Sequence, residues 1–311
     1  MIPIVSVLVL TYNQENTVRR TLDSILSQVT EYEYEIIIGD DDSTDQTRII
    51  CEEYCNKYDN IMLLDKAPNK GVVLNYRDCY AKARGKYIMG CAGDDWWHNE
   101  NKIQIQVEYM ENNTDCSLSF TGYTNCNLVS SQLSQSQPRP GDYSIESLLL
   151  DSPIAALTIC YRNNPGILGV LNHVIENKWN MEDLPIVLYM ASIGVVSCLE
   201  GNFATYSILN GSISNASTLE RKERFEKQVL EIRQYYKELY NICKVSDTDL
   251  LDKFYISLST NGIRYNNRIY CIRALRNITN KRVSDYLKLL LCFLPLGFKL
   301  LRTYMKSLIV S

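Results

Sequence analysis

Two places in the chain set carboxylates side by side, and they are where chemistry is expected. Asp94 and Asp95 follow Tyr87-Ile88-Met89-Gly90-Cys91-Ala92-Gly93. That apolar run reads as a short buried strand ending in Ala-Gly, where backbone can approach another group closely. Two like charges at the end of a buried strand are costly unless a cation or a set of donors compensates. Hard divalent cations prefer carboxylate oxygens, and Mg2+ is commonly shared between one or two carboxylates and substrate phosphates. The pair therefore points to a divalent metal, Mn2+ or Mg2+, held for a phosphorylated substrate. The competing interpretation is a solvated turn in which Asp95 caps the next helix. The second pair, Glu182-Asp183, opens an apolar helix over Ile186 to Ser192. Acids at a helix N-terminus can be dipole and capping chemistry alone. Neither histidine, His98 or His173, has a second one at ligand spacing. At most His98 lines the mouth of a site, and His173 is a surface or packing residue.

The elements that must position these acids follow a regular order. Ile4 to Leu10 is apolar and β-branched, a strand buried on both faces. Val18, Leu22, Ile25 and Val29 fall at helical spacing. Strand Tyr34 to Ile38 runs into Gly39-Asp40-Asp41-Asp42-Ser43-Thr44-Asp45, where Ser43 and Gln46 have capping-box spacing for a helix carrying Ile49, Ile50 and Tyr54. Ile61 to Leu64 is a strand, Asn69-Lys70-Gly71 a turn, Val72 to Ala83 a helix, and Tyr87 to Cys91 the next strand. Such β-α alternation implies a parallel sheet with right-handed crossovers. Ligands of open α/β sheets bind beyond the carboxyl ends of the strands. The polar clusters Thr11-Tyr12-Asn13-Gln14-Glu15, Gly39 to Asp45 and Gly93 to Asp95 all lie there. No GxGxxG follows the first strand and no GxxxxGK[ST] exists, which disfavours a Rossmann dinucleotide site and a P-loop. Further on, Asn99 to Asn112 reads as a helix, Leu118 to Tyr123 and Ala156 to Arg162 as strands, and 130–142 as a mobile surface loop.

Bulk properties narrow the classes. The chain has 311 residues, 46% hydrophobic and 22% charged, enough for a sizeable core. Its net charge of −4 argues against a general nucleic-acid binder. The 11 cysteines lack a zinc spacing and read as free thiols in a reducing compartment. No basic segment precedes Ile4, so a cytoplasmic location is expected.

Several of these stretches resemble family-2 glycosyltransferases. They are Ser6-Val7-Leu8-Val9-Leu10-Thr11-Tyr12-Asn13, Glu35 to Asp45, Asn69-Lys70-Gly71, Arg84-Gly85-Lys86-Tyr87-Ile88 and Gly93-Asp94-Asp95-Trp96-Trp97. The resemblance implies the GT-A fold, an α/β architecture whose mixed, mostly parallel sheet is flanked by helices. It implies a catalytic domain over 1–215, with a nucleotide-sugar half (1–97) and an acceptor half (98–215), followed by a helical region, 216–311. It implies an inverting transfer of one sugar from a nucleotide-diphosphate donor to a glycan or lipid-linked glycan acceptor, as in cell-surface polysaccharide synthesis. Asp41 would recognise the base with Tyr12 stacking near it, and Thr11, Asn13 and Glu15 would complete that donor-binding loop. Asp94 and Asp95 would stand where the family's DxD motif binds ribose and metal. Asp183 would be the catalytic base, with Glu182 orienting it or touching the acceptor. Lys70 or Arg77 would offset negative charge.

The chain also departs from the family pattern. Ala92 replaces a frequent acid, and Asp42 replaces a usual glycine. In Tyr206-Ser207-Ile208-Leu209, Ser207 and Leu209 stand for the Arg and the metal-assisting His of the family's Tyr-Arg-x-His. These departures keep open a non-catalytic nucleotide-sugar-binding partner of a polysaccharide assembly complex. A nucleotidyltransferase would want a Gly-rich, basic loop after the first strand, which Thr11 to Glu15 is not.

From Thr218 the chain reads as successive helices. The last segment, Tyr286 to Arg302, is apolar with interspersed Lys and Arg and is interrupted by Pro295. It is too short and too charged to span a bilayer. Next to the basic stretch 264–282 it suits an anionic membrane surface, at the inner face of the cell membrane. The alternative is packing on the catalytic domain or on a second copy in a homo-oligomer.

Overall fold

A computed structural model describes residues 3–208, 218–294 and 296–310, with side chains as far as Met305. The chain begins β1 (Val5–Thr11), α1 (Val18–Leu26), β2 (Tyr34–Asp40), α2 (Thr47–Lys57), β3 (Ile61–Leu63), α3 (Val72–Tyr80), β4 (Tyr87–Ala92), β5 (Trp96–Trp97) and α4 (Lys102–Asn112). It continues through β6 (Cys116–Asn127), β7 (Leu133–Ser136), β8 (Gly141–Tyr143), α5 (Ile145–Leu150), β9 (Cys160–Arg162), α6 (Gly166–Glu176), α7 (Asp183–Ile193) and β10 (Val195–Ile208). The strands form one sheet in the order β3-β2-β1-β4-β9-β6-β10-β5, with β7 on β6 and β8 on β10. Strands β3, β2, β1 and β4 are parallel, and β9 runs antiparallel to β4 and β6. The sheet's parallel half is what the alternation implies, and the mixed, helix-flanked whole is what the family resemblance implies.

Strands apolar on both faces need cover on both sides. On one side Val5, Val7, Val9, Ile36 and Ile38 pack with Leu22 and Ile25 of α1, Ile50 and Tyr54 of α2, and Ile103 and Val107 of α4. Each such fully buried side chain contributes about 1.5–3 kcal/mol relative to its exposed state. On β2, Gly39 lets α3 lie close: a Cβ there would come within 2.5 Å of Asn75 Oδ1 and of Cys79 Sγ. Asn75 also donates to the Gly39 carbonyl at 2.7 Å.

Five sequence readings need correction. The segment 130–142 is not a plain loop, because β7 within it pairs with β6 and β8, which begins at its end, pairs with β10. The Ser43–Gln46 capping box is absent: the Ser43 hydroxyl bonds Asp40 at 2.5 Å, and Thr47 N is capped by Asp45 at 2.9 Å. Helix α1 stops at Leu26, and Val29, 60% exposed, donates its N–H to the Glu100 carbonyl instead. Ile49 faces solvent while Cys51 takes the inward position. Only Cys160–Arg162 of the predicted strand 156–162 forms a paired strand, because 156–158 is a 3₁₀ turn.

The chain divides into two units: Met1–Cys126 with Gln135–Ile145 and Pro153–Ser207, and Asn127–Ser134 with Glu146–Ser152 and Ile208–Ser311. The second contains α8 (Leu219–Leu239), α9 (Asp247–Arg264), α10 (Arg268–Asn277), α11 (Val283–Phe293) and α12 (Gly297–Val310). Its own core gathers Ile263, Cys271, Leu275, Ile278, Cys292, Phe298 and Leu301. Buried Asp252 accepts from Thr279 N (2.6 Å) and Asn280 N (2.8 Å), fixing the turn between α10 and α11.

Candidate active site

The strand register brings three loops to one edge of the sheet. Thr11 lies opposite Asp40, and Leu10 opposite Ala92, so β1, β2 and β4 end at one level. The loops are then laced together. Asn13 N donates to Ser43 Oγ (2.9 Å) and Asn13 Oδ1 accepts from Thr44 N (2.8 Å). Gln14 N donates to Thr47 Oγ1 at 2.7 Å. Glu15 accepts from Gln46 N (2.9 Å), and its own N–H donates to Asp45 at 3.2 Å. Asn13 and Glu15 thus use their polar groups on loop-to-loop bonds. Tyr12 is 48% exposed, leaving its ring open to a ligand. Thr11 is buried, and its Oγ1 has no partner among the described residues. The third loop meets the first at Gly93, where a Cβ would come within 2.5 Å of Gln14 Oε1 and 2.8 Å of Thr11 Oγ1.

Asp41 is a clasp. One carboxylate oxygen accepts from Lys70 N and the other from Gly71 N, each at 2.9 Å, while Asn69 donates to its carbonyl at 2.8 Å. This joins β2 to the start of α3. An ionised carboxylate has about four acceptor directions, so room remains for a further donor. Asp42 stands at φ +64, the left-handed region, which gives a physical reason for glycine at this place in the family pattern. Lys70 and Arg77 both turn to Asp78, at 2.7 and 2.9 Å. Burial pushes the Asp78 carboxyl up, but the bonds from Lys70 and Arg77 outweigh it and hold the group below its ordinary range.

The Asp94–Asp95 turn is held from several sides. Asp95 is buried, and its Oδ1 accepts from Ser207 N at 2.7 Å. Its carbonyl accepts from Thr21 Oγ1 at 2.6 Å, and the Gly93 carbonyl from Thr17 Oγ1 at 2.8 Å. The Asp94 carbonyl accepts from the Ser207 hydroxyl and, at 3.2 Å, from Arg20. The Arg20 guanidinium lies 3.5 Å over the Trp96 ring. Burial raises both carboxyl pKa values, and repulsion from Asp94 raises Asp95 further. Arg20 opposes this only in part. Two crowded, under-compensated carboxylates are a donor set that suits a hard cation. Among the described residues, no group of three or more His, Cys, Asp or Glu side chains forms a cation site. A metal here would need its remaining oxygens from a bound diphosphate and water.

The second acid pair sits at the start of α7. Glu182 is buried, and burial, then repulsion from Asp183, pushes its carboxyl up to about 8. Burial raises Asp183 as well, against a 2.8 Å bond that its Oδ1 accepts from Leu184 N. The Tyr76 and Tyr161 hydroxyls are 2.7 Å apart, and the charge of Glu182 disfavours ionisation of both. Tyr76 belongs to α3, the helix whose start Asp41 clasps.

Arg20, Ser207, Asp78 and the Tyr76–Tyr161 pair were missed as contributors by motif reasoning. Only Ser207 carried a signal, as a departure from the family pattern. Leu209 lies outside the described residues. His98 bonds Thr205 (2.9 Å) and the Asn202 carbonyl (2.8 Å), a positioned structural contact.

The glycosyl transferase family 2 model matches residues 6–177. An uncharacterized Mycobacterium tuberculosis protein is 31% identical over 177 residues, 56% of this chain and 51% of its own. The chain therefore spans about half the length of the first curated relatives it matches. Escherichia coli WfgD, a UDP-Glc:alpha-D-GlcNAc-diphosphoundecaprenol beta-1,3-glucosyltransferase, is 26% identical over 72% of this chain and 84% of its own. Among solved structures, Staphylococcus aureus TarS 1–349 in complex with UDP-GlcNAc has a TM-score of 0.58 at 15% identity, covering 97% of this chain and 87% of its own, a likeness of fold. With more than half of its residues inside the family model and a GT-A-like sheet carrying the acidic loops, the chain belongs to glycosyl transferase family 2.

Proposed function

We propose that the protein transfers a sugar, with inversion, from a nucleotide-diphosphate donor to a hydroxyl of a glycan or lipid-linked glycan in cell-surface polysaccharide synthesis. The observation that carries this reading is the common level at which β1, β2 and β4 end, which gathers Tyr12, Asp41 and Asp94 on one edge. The exposed Tyr12 ring and the spare acceptor directions of Asp41 suit a nucleobase. Asp94, less buried than Asp95, suits the ribose. Asp94 and Asp95 would hold a divalent cation. When bound, that cation supplies Lewis-acid stabilisation to the departing diphosphate. The N–H of Ser207 holds the Asp95 carboxylate, and Arg20, bonded to the Asp94 carbonyl, holds the turn without neutralising either acid.

On the acceptor side, Asp183 takes the hydroxyl proton as attack proceeds opposite the leaving group. A raised pKa suits that task, because a base near the working pH accepts a proton more effectively. Glu182 stays protonated over more of the pH range and limits the negative charge beside Asp183. Lys70 and Arg77, tied to Asp78, steady the loop under Asp41 more than they meet the donor. Relatives such as WfgD support a nucleotide-sugar donor and a lipid-linked acceptor as the first pair to test. The test is a thermal-shift screen of nucleotide sugars with and without Mn2+, followed by turnover of each binder on lipid-linked and free glycans. Donor-dependent glycan extension is expected. Donor binding without transfer to any acceptor would favour the non-catalytic reading, and no donor binding would sink both.

A further inference from the structure

We propose that the α10–α11 surface docks the protein on a bilayer bearing anionic headgroups. Helix α11 turns one side inward. Cys292 enters the core of its unit, and Asp285 is buried beneath the helix. Yet Val283, Tyr286, Leu287, Leu290, Phe293 and Leu294 stand 46% to 77% exposed. Their spacing of three and four puts them on one stripe of the outer face. A stripe of large apolar side chains facing water marks a binding surface.

The charge around the stripe identifies the occupant. Residues 264–302 hold nine Lys and Arg against one acid, Asp285, in a chain whose net charge is −4. Arg268, Arg276 and Arg282 are exposed and form no ion pair among the described residues. The Arg276 guanidinium lies 5.7 Å over the Phe293 ring, so the basic and apolar surfaces are continuous. Cations bordering an apolar helix face match a bilayer interface, where headgroups meet the former and acyl chains the latter. A second copy would bring the same positive patch against itself, because a two-fold interface pairs like with like. No helix of the described residues is long and apolar enough to cross a membrane, so the helix would lie along the surface.

The experiment is flotation of the full chain with vesicles. Vesicles of mixed phosphatidylcholine and phosphatidylglycerol should carry the protein upward, and phosphatidylcholine alone should leave it behind. High salt should release it. L287E/L290E should abolish flotation, and R276E/R282E should lower partitioning roughly twenty-fold or more. These side chains are exposed, so both variants should melt with the wild type. Absence of flotation on anionic vesicles, or wild-type flotation by both variants, would overturn the proposal. A dimer broken by L287E/L290E in a protein that ignores vesicles would overturn it in favour of self-association.

Discussion

The molecule holds two pairs of adjacent acids and treats them differently. The Asp94–Asp95 turn is gripped at its backbone carbonyls by Arg20 and Thr21 of α1, and at one carboxylate by the N–H of Ser207 from a distant strand. Glu182–Asp183 receives a bond from Leu184 N within its own helix, and Glu182 lies near a tyrosine pair rather than a cation. Burial raises all four carboxyls, and each pair has a backbone N–H that favours its charged form, but the first pair alone has a guanidinium, Arg20, opposing the rise. The contrast teaches that neighbouring acids are not one motif. A pair with a guanidinium beside it is partly compensated and suits the cation-holding role proposed for it, while a pair with no cation opposing the rise suits the proposed handling of a proton.

The comparison can be broken most directly by chelation. Removing divalent metal with EDTA should abolish turnover, a loss of several kcal/mol of transition-state stabilisation, and Mn2+ should restore it. Unchanged turnover in EDTA would remove the role given to the first pair. Next in size, Asp183→Asn should fold, bind donor as before and lose about 10²–10⁴-fold in kcat. Near-normal nucleoside-diphosphate release with acceptor would move the base elsewhere. Both assays can be run on one preparation.

A smaller effect separates charge from hydrogen bonding at Asp95. Asp95→Asn keeps an acceptor for the Ser207 N–H, whereas Asp95→Ala leaves that buried donor unpaired. In chemical denaturation the alanine variant should therefore be less stable than the asparagine variant by about 1–3 kcal/mol. Equal stabilities would show that the Ser207 bond does not hold the turn.

The last test concerns pH. Glu182 is raised in the fold to about 8. Its contribution is fully present below the ordinary carboxylate range and is lost as pH climbs toward the folded value, because the unfolded chain ionises first. The melting temperature of Glu182→Gln relative to wild type should thus increase as pH rises from acid toward 8. Parallel melting curves for the two proteins would show that Glu182 titrates normally.

Much of the scaffold was legible in the sequence. The apolar runs at Val5, Tyr34 and Tyr87 and the helical spacing between them fixed a parallel half-sheet, and that order placed the acidic loops at strand ends. Local capping was read less well. Ser43 has the right spacing to cap α2, but its hydroxyl goes to Asp40, a competition invisible without coordinates. Helix α6 is absent from the sequence reading, although Pro165 stands where it starts, a place at which proline is at home. Arg20 and Ser207 were hidden for another reason. They lie 74 and 113 positions from Asp94, and no local pattern links residues so far apart.

The hydrogen that Gly39 carries in place of a methyl has a reach beyond its own strand. It sets the spacing between the strand that leads into Asp41 and the helix that bears Tyr76, so the proposed donor and acceptor sides of the site share one gear tooth. Thickening that tooth by a single carbon should push the two proposed halves of the site out of mesh while leaving every acidic residue in the sequence.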